Sequence, residues 1–190
     1  TENAMGYRSY SRGLIPVVAD VDRDGRVELI LGDGIHEWNP NEADWRIEPW
    51  FSNPDLSPGQ TAVAELGHFP VEALGGVDHV EVVVISRGTA RVQTLDGQVV
   101  FGPYPLPGGG LGGPPTVADF DGDGQREFAT AGANGYTVFD LDCAEGGNPG
   151  GCGIEEGEEG VLWFQPSRDH SSSVTGSSVF DFDADGSAEA

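Results

Sequence analysis

Short runs of apolar and β-branched residues, some with alternating polar positions, recur along the chain, as at residues 80–86, 90–94 and 136–141. Such runs predict β-strands, because successive side chains of a strand point to opposite faces of its sheet. Apolar positions at helical spacing are not sustained in any longer window. Asp96-Gly97 and Asn134-Gly135, which are typical hairpin dipeptides, separate such runs. The pattern predicts an all-β protein.

The predicted strands recur in units. Three segments share the order of a short apolar strand, an acidic loop and a second strand. A further segment, residues 61–85, has the same two strands but a longer loop, with Gly67 and Phe69 where the other loops are acidic. We interpret it as a repeat that has lost its site. Within one domain of residues 1–190, the predicted repeats cover residues 14–50, 61–104, 116–166 and 175–190, the last of them truncated.

Each complete unit is predicted to have four strands. Repeated four-stranded units of this size predict a β-propeller, in which the blades are arranged radially. Three units and the start of a fourth do not readily close a ring, since propellers have about four to eight blades. We therefore expect a part of a longer protein and an incomplete part of a larger propeller of about seven blades. After the first strand of each unit, the predicted strands are 27–31, 35–38 and 46–50, then 80–86, 90–94 and 99–101, then 127–131, 136–141 and 161–164.

Charge excludes several classes of partner. The 190 residues include 32 Asp or Glu and 9 Lys or Arg, so the formal net charge is −23. This surplus argues against binding to nucleic acid or to an anionic membrane surface, since both need a basic patch. Apolar runs are also too short for insertion into a bilayer. The 30 Gly and 13 Pro would suit a disordered chain, but most lie between predicted strands, so the periodicity decides for a folded one.

Three loops share the pattern D-x-D-x-D-G-x-x-E. Carboxylates at alternate positions around a glycine suit Ca²⁺, which takes about six to eight oxygen ligands, better than Mg²⁺. An EF-hand would need an acidic residue where Leu31 and Thr130 stand. Asp and Gly are also common in solvated turns, but three loops with one spacing argue against that alternative. The predicted ligands, with the seventh residue of each loop supplying a backbone carbonyl, are Asp20, Asp22, Asp24, Arg26, Glu28, Asp119, Asp121, Asp123, Gln125, Glu127, Asp181, Asp183, Asp185, Ser187 and Glu189.

The order of small apolar strand, acidic loop and apolar strand resembles the FG-GAP/VCBS repeat, which occurs in the integrin alpha-subunit propeller and in many secreted bacterial proteins. The resemblance covers the loop and its flanking strands in three units. It implies a propeller whose loops join the first two strands of a blade and bind Ca²⁺ on one face, with partners on the opposite face. The family's last ligand is usually Asp, where this chain has Glu, and the unit at Glu65 departs from the pattern, so no metal is assigned to it.

Cys143 and Cys152 bracket a loop rich in Gly and Pro. A disulfide between them would stabilise the fold by about 2–3 kcal/mol and would favour an oxidising compartment. Two free thiols or a metal pair are the alternatives, and zinc is disfavoured because no companion ligands stand at zinc spacing. We expect an extracellular, cell-surface or periplasmic protein.

Other candidate residues form no convincing constellation. Ser167, Asp169 and His170 are of triad types, but near neighbours in sequence rarely converge, and no G-x-S-x-G turn is present. The segment 108–115 is interpreted as a linker between blades, because no helix follows it. The rest are four dispersed histidines, interpreted as surface or turn residues, and four tryptophans, interpreted as filling between blades or, alternatively, as a sugar-stacking platform: His36, His68, His79, His170, Trp38, Trp45, Trp50 and Trp163.

These observations favour a secreted or cell-surface, calcium-binding propeller without catalysis. It would act as a binding, adhesion or structural module with a protein or glycan ligand on its surface. One alternative is the non-catalytic propeller part of an extracellular polysaccharide-active lyase or hydrolase. Another is a component of a surface filament or layer, which would require self-assembly.

Overall fold

The structure is a computed structural model that describes residues 14–45, 50–143, 159–169 and 174–190. Within these ranges the chain is all-β, as predicted, and its helical residues are confined to two short 3-10 turns, at Glu72–Leu74 and Leu141–Cys143. No helix in the described ranges is long and apolar enough to cross a membrane.

In the described part of the chain, thirteen strands form three antiparallel sheets, each built from one stretch of sequence. Each sheet has the order of the chain, because hairpins join consecutive strands, and β5 pairs with β3 beside β4. Sheet one contains β1 Val17–Ala19, β2 Glu28–Leu31, β3 Gly34–Asn39, β4 Asp44–Trp45 and β5 Phe51–Ser52. Sheet two contains β6 Gln60–Ala64, β7 Glu81–Ser86, β8 Thr89–Gln93 and β9 Val99–Pro105. Sheet three contains β10 Thr116–Ala118, β11 Glu127–Ala131, β12 Gly135–Phe139 and β13 Val161–Pro166.

Some predicted strand boundaries are wrong. The strand predicted at 46–50 falls almost entirely on residues 46–49, which lie outside the described ranges, whereas β4 ends at Trp45 and β5 begins at Phe51. β9 continues past Phe101 because Tyr104 and Pro105 pair with β8 beyond a register shift. Gly102 has a φ of +75° there, and a Cβ would lie 2.5 Å from the Ala90 carbonyl oxygen. That position therefore requires glycine.

β7 lies at the centre of the molecule, and all six of its residues are buried. Its side chains alternate between two apolar clusters. Val82 belongs to the cluster that contains Ile30 and Ile35 of sheet one. Val83 belongs to the cluster that contains Phe128 and Phe139 of sheet three. Sheet two is therefore packed on both faces, which explains why its second strand is a continuous apolar run.

The first strands of the sheets lie side by side. Ile15 forms a parallel bridge with Gln60, and the Gln60 side-chain amide donates to the Gly112 carbonyl at 2.7 Å. β6 contacts both β1 and β10. Residues 174–190 add no sheet of their own, and Val179 and Ala188 pack on sheet three. The three described sheets do not close into a ring.

Candidate metal centre

The acidic loops of the first and third units connect the first two strands of their sheets, and all three acidic loops are closed by an equivalent pairing. Ala19 pairs with Glu28 at the end of β1, and Ala118 pairs with Glu127 at the end of β10. In the last segment, Phe180 and Glu189 form the equivalent bridge. The backbone pairing that closes the loop is therefore equivalent in all three loops, at residues 20–28, 119–127 and 181–189.

The first aspartate of each loop holds the glycine in place. The glycine N–H donates to its carboxylate at 3.0 Å in all three loops. Gly25, Gly124 and Gly186 have φ values of +89°, +90° and +100°. This left-handed conformation favours glycine, and it turns the loop back so that its carboxylates face one another.

The aspartates at the third and fifth positions of each loop also organise its backbone. In the first loop, Asp22 accepts from the Asp24 N–H at 3.1 Å, and Asp24 accepts from the Arg26 N–H at 2.8 Å. The equivalent bonds to the third- and fifth-position aspartates occur in both other loops. In each case one carboxylate oxygen accepts from the backbone two residues further on, as in Asx turns.

In the first and third units, the glutamate that ends the loop is its most deeply buried carboxylate, whereas Glu189 of the last loop is only half-buried. Glu28 is 0% exposed and Glu127 is 1% exposed. They accept the N–H groups of Val21 and Phe120 at 2.9 and 2.6 Å. The other oxygen of Glu28, Oε1, is buried and has no hydrogen-bond partner in the described part of the chain. Burial raises the pKa of both carboxyls from 4.5 to about 7. A cation beside them would compensate this burial.

The carboxylates of each loop converge. Their nearest oxygens lie within 4.8 Å of one another, and two oxygens on one Ca²⁺ lie at most about 5 Å apart. Asp24 and Asp123 lie outside the clusters of their loops, whereas Asp185 belongs to its own. The clusters are Asp20, Asp22 and Glu28; Asp119, Asp121 and Glu127; and Asp181, Asp183, Asp185 and Glu189.

The unit without an acidic loop keeps the same glutamate, which the sequence reasoning missed. Glu81 is 0% exposed, accepts the Leu66 N–H at 2.8 Å, and has an oxygen without a hydrogen-bond partner among the described residues. Its signal in the sequence is that a Glu begins the second strand of each of the first three units. The longer loop is closed by Asp78, which accepts the Phe69 N–H at 2.8 Å and lies 2.7 Å from His68 Nδ1.

Two described tryptophans pack inside the molecule. Trp50 packs against the cluster between sheets one and two, and its Nε1 donates to Glu37 at 3.3 Å. Trp163 lies against the rings of Phe120 and Tyr136, with centroids 6.1 and 6.0 Å apart. The position of Trp50 fits the interpretation of tryptophans as filling between blades, whereas Trp163 packs on residues of sheet three and the last segment.

The remaining predicted residues are only partly described. Cys143 is buried and disulfide-bonded, but Cys152 lies outside the described ranges. His170 also lies outside them. Asp169 accepts the N–H and the hydroxyl of Thr175, so it organises a turn.

An apolar cavity of about 150 Å³ lies where the first strands of the sheets begin, away from the acidic loops that follow those strands. Leu14, Ile85, Leu111 and Val174 line it, together with Gln60. Its volume suits one small apolar group.

Comparisons with protein-family models, with curated proteins and with solved structures found no match to this chain.

Proposed function

We propose that the chain binds Ca²⁺ in its three acidic loops and that it is part of a β-propeller of the FG-GAP/VCBS type. The buried carboxylate of Glu28 is the observation that carries this proposal. One of its oxygens accepts the Val21 N–H, and the other is buried without a hydrogen-bond partner in the described ranges. Its carboxylate converges with those of Asp20 and Asp22. An ionised group in such a place needs a cation nearby.

The donor set supports calcium in particular. All the side-chain ligands are carboxylates, which are hard oxygen donors, and histidine and cysteine are absent from the described clusters. Backbone carbonyls and water would complete the shell of about six to eight oxygens that calcium prefers. Each loop would hold one ion, and the bound ion would stabilise a turn whose carboxylates otherwise repel one another.

The arrangement of the sheets supports a propeller. Each sheet comes from one repeat, successive sheets pack face to face, and their first strands are neighbours. The disulfide at Cys143 supports an oxidising compartment, where calcium is also abundant. We therefore infer a secreted or cell-surface protein that acts as a binding or structural module, with its ligand on the propeller surface.

Thermal unfolding with and without calcium tests the metal proposal. Calcium should raise the melting temperature of the chelator-treated protein, and the increase should continue with concentration above saturation. A hundredfold excess of calcium over Kd at one site adds about 2.7 kcal/mol of stability. Titration calorimetry should show binding by the same samples.

Matched glutamate variants locate the effect. Glu28→Gln and Glu127→Gln keep the acceptor for the loop N–H but remove a ligand charge, so each should reduce the calcium-induced increase. Glu81→Gln removes the equivalent glutamate of the unit without an acidic loop and should leave the increase unchanged. Equal melting temperatures in millimolar calcium and in chelator, with no heat of binding, would refute the metal proposal.

A further inference from the structure

The seventh residue differs among the acidic loops, and so does its contact with the fifth-position aspartate. In the first loop, Arg26 Nε donates to Asp24 Oδ2 at 2.9 Å, and Nη2 contacts the same oxygen. In the third unit's loop, Gln125 Nε2 lies 3.4 Å from the equivalent oxygen of Asp123. In the last loop the seventh residue is Ser187, whose side chain is too short for the same contact.

Whether the seventh residue contacts the fifth-position aspartate corresponds to whether that aspartate belongs to the carboxylate cluster of its loop. Asp24 and Asp123, which the longer side chains contact, lie outside the clusters of their loops. Asp185, followed by the short Ser187, lies inside its cluster. A long side chain at the seventh position is therefore found where the aspartate at the fifth position lies outside the cluster, and a short one where it lies inside.

Arg26 is held in place from a second side. Its Nη1 lies 2.7 Å from Glu37 Oε1, and Glu37 is 4% exposed. Trp50 Nε1 donates to the other oxygen of Glu37 at 3.3 Å. Glu37 also pairs across the sheet with Glu28. The guanidinium is thus fixed between Asp24 and a buried glutamate, beside the carboxylates of the first loop.

We propose that Arg26 sets the calcium affinity of the first loop. Its positive charge neutralises Asp24 and repels a divalent ion nearby, so the loop binds calcium more weakly than its carboxylates would otherwise allow. The same charge offsets carboxylate repulsion when the ion has left, so this loop depends less on metal for its stability. The inference rests on the proposed function, because it concerns the affinity of one of its sites.

Glycine amides give a readout for each loop. Gly25, Gly124 and Gly186 each donate to the first aspartate of their loops at 3.0 Å, so their NMR signals should respond to the ion in that loop. The full chain, labelled with ¹⁵N-glycine, is titrated with calcium chloride. The shift of each amide then yields a separate Kd.

Arg26→Gln removes the charge but keeps a long side chain and the backbone carbonyl. The Kd reported by Gly25 should fall about two- to fivefold, the range expected from losing exposed ion pairs, with Gly124 and Gly186 unchanged. Arg26→Lys, which keeps the charge, should lie between wild type and Arg26→Gln. Arg168→Gln makes the same change of net charge at an exposed position outside the loops and should leave all three Kd values unchanged.

Gln125→Arg is the reciprocal variant and keeps the proposal testable if Arg26→Gln fails to fold. It places a guanidinium between Asp123 and the carboxylates at residues 140 and 142, so the Kd reported by Gly124 should increase by a similar factor. An unchanged Kd for Gly25 in Arg26→Gln, or for Gly124 in Gln125→Arg, with calcium bound in the other loops, would overturn the role of the seventh residue alone. If no glycine amide responds in any variant, the proposed function fails together with this inference.

Discussion

At the scale of single residues, a glutamate in each unit accepts a backbone N–H of the loop that precedes it. Glu28, Glu81 and Glu127 are each buried at the start of a second strand and accept an N–H from the preceding loop. Glu189 accepts the Phe182 N–H in the same way. Because Glu81 does this without an acidic loop, holding the backbone is a role separate from the proposed metal binding.

The pKa of Glu81 predicts how stability depends on pH in the absence of metal. Burial raises this pKa from 4.5 to about 7, so the folded protein holds a proton that the unfolded chain releases. Stability from this group is complete below about pH 4.5 and is lost as the pH rises to about 7. Glu81→Gln should remove this loss. Melting temperatures measured in chelator between pH 5 and 8 should therefore fall less steeply for the variant.

Glu28 and Glu127 contribute to the same slope, since their pKa values are also raised to about 7. Glu81→Gln should therefore lower the number of protons released on unfolding by about one, while the protons released by Glu28 and Glu127 remain. An identical pH dependence for wild type and Glu81→Gln would contradict the assignment.

At the scale of elements, a buried arginine joins sheets one and two. Arg91 of β8 is 4% exposed, and its Nη2 donates to the carbonyls of Gly32 and Ser57 at 2.6 and 2.8 Å. Nε donates to Gln93 at 3.0 Å. A Cβ at Gly32 would lie 2.7 Å from Val84, so glycine allows the sheets this close approach. Desolvation by burial lowers the pKa of Arg91 to about 10.

Replacing this arginine should weaken the contact between the two sheets. Arg91→Met keeps the apolar stem but leaves two carbonyls without their charged donor, and we expect a loss of about 2–3 kcal/mol in the free energy of unfolding. Denaturant titration in saturating calcium measures it. Arg168→Met, at an exposed position, serves as control and should change stability by less than about 0.5 kcal/mol. A similar small change for Arg91→Met would show that these hydrogen bonds contribute little.

At the scale of the whole molecule, twelve of the 32 acidic residues lie in the three acidic loops. The loops of the third unit and the last segment are neighbours, since the Ala188 N–H donates to the Asp119 carbonyl at 2.8 Å. Three calcium ions would change the formal charge from −23 to −23 + 6 = −17. The protein without metal therefore bears more repulsion, and some of it is between adjacent loops.

This charge distribution predicts that salt stabilises the metal-free protein most. Raising sodium chloride from 0.1 to 1 M shortens the screening length from about 10 to about 3 Å, which weakens repulsion between loops. The melting temperature in chelator should rise with salt, and the increase should be smaller in saturating calcium. The calcium-saturated sample controls for general effects of salt on protein stability. Equal salt effects in the two samples would contradict the prediction.

Some elements of the fold could be predicted from the sequence, and others could not. The hairpins at Asp96-Gly97 and Asn134-Gly135 and the strand 127–131 are local features, and the structure confirms them. The pairings of β4 and β5 with β3 and the extension of β9 were not predicted, because they depend on contacts with a neighbouring strand. Calcium binding by the acidic loops stays a prediction that the convergence of their carboxylates supports.

By itself, the sequence determined the all-β class, most strands and the spacing of the acidic loops, because alternation, turn dipeptides and the D-x-D-x-D-G pattern act over a few residues. Only the tertiary structure decided that Glu81 is buried like Glu28, that Arg91 joins two sheets, and that Arg26 lies between Asp24 and Glu37. These relations depend on strand register and on packing between sheets, which bring together residues far apart in the chain.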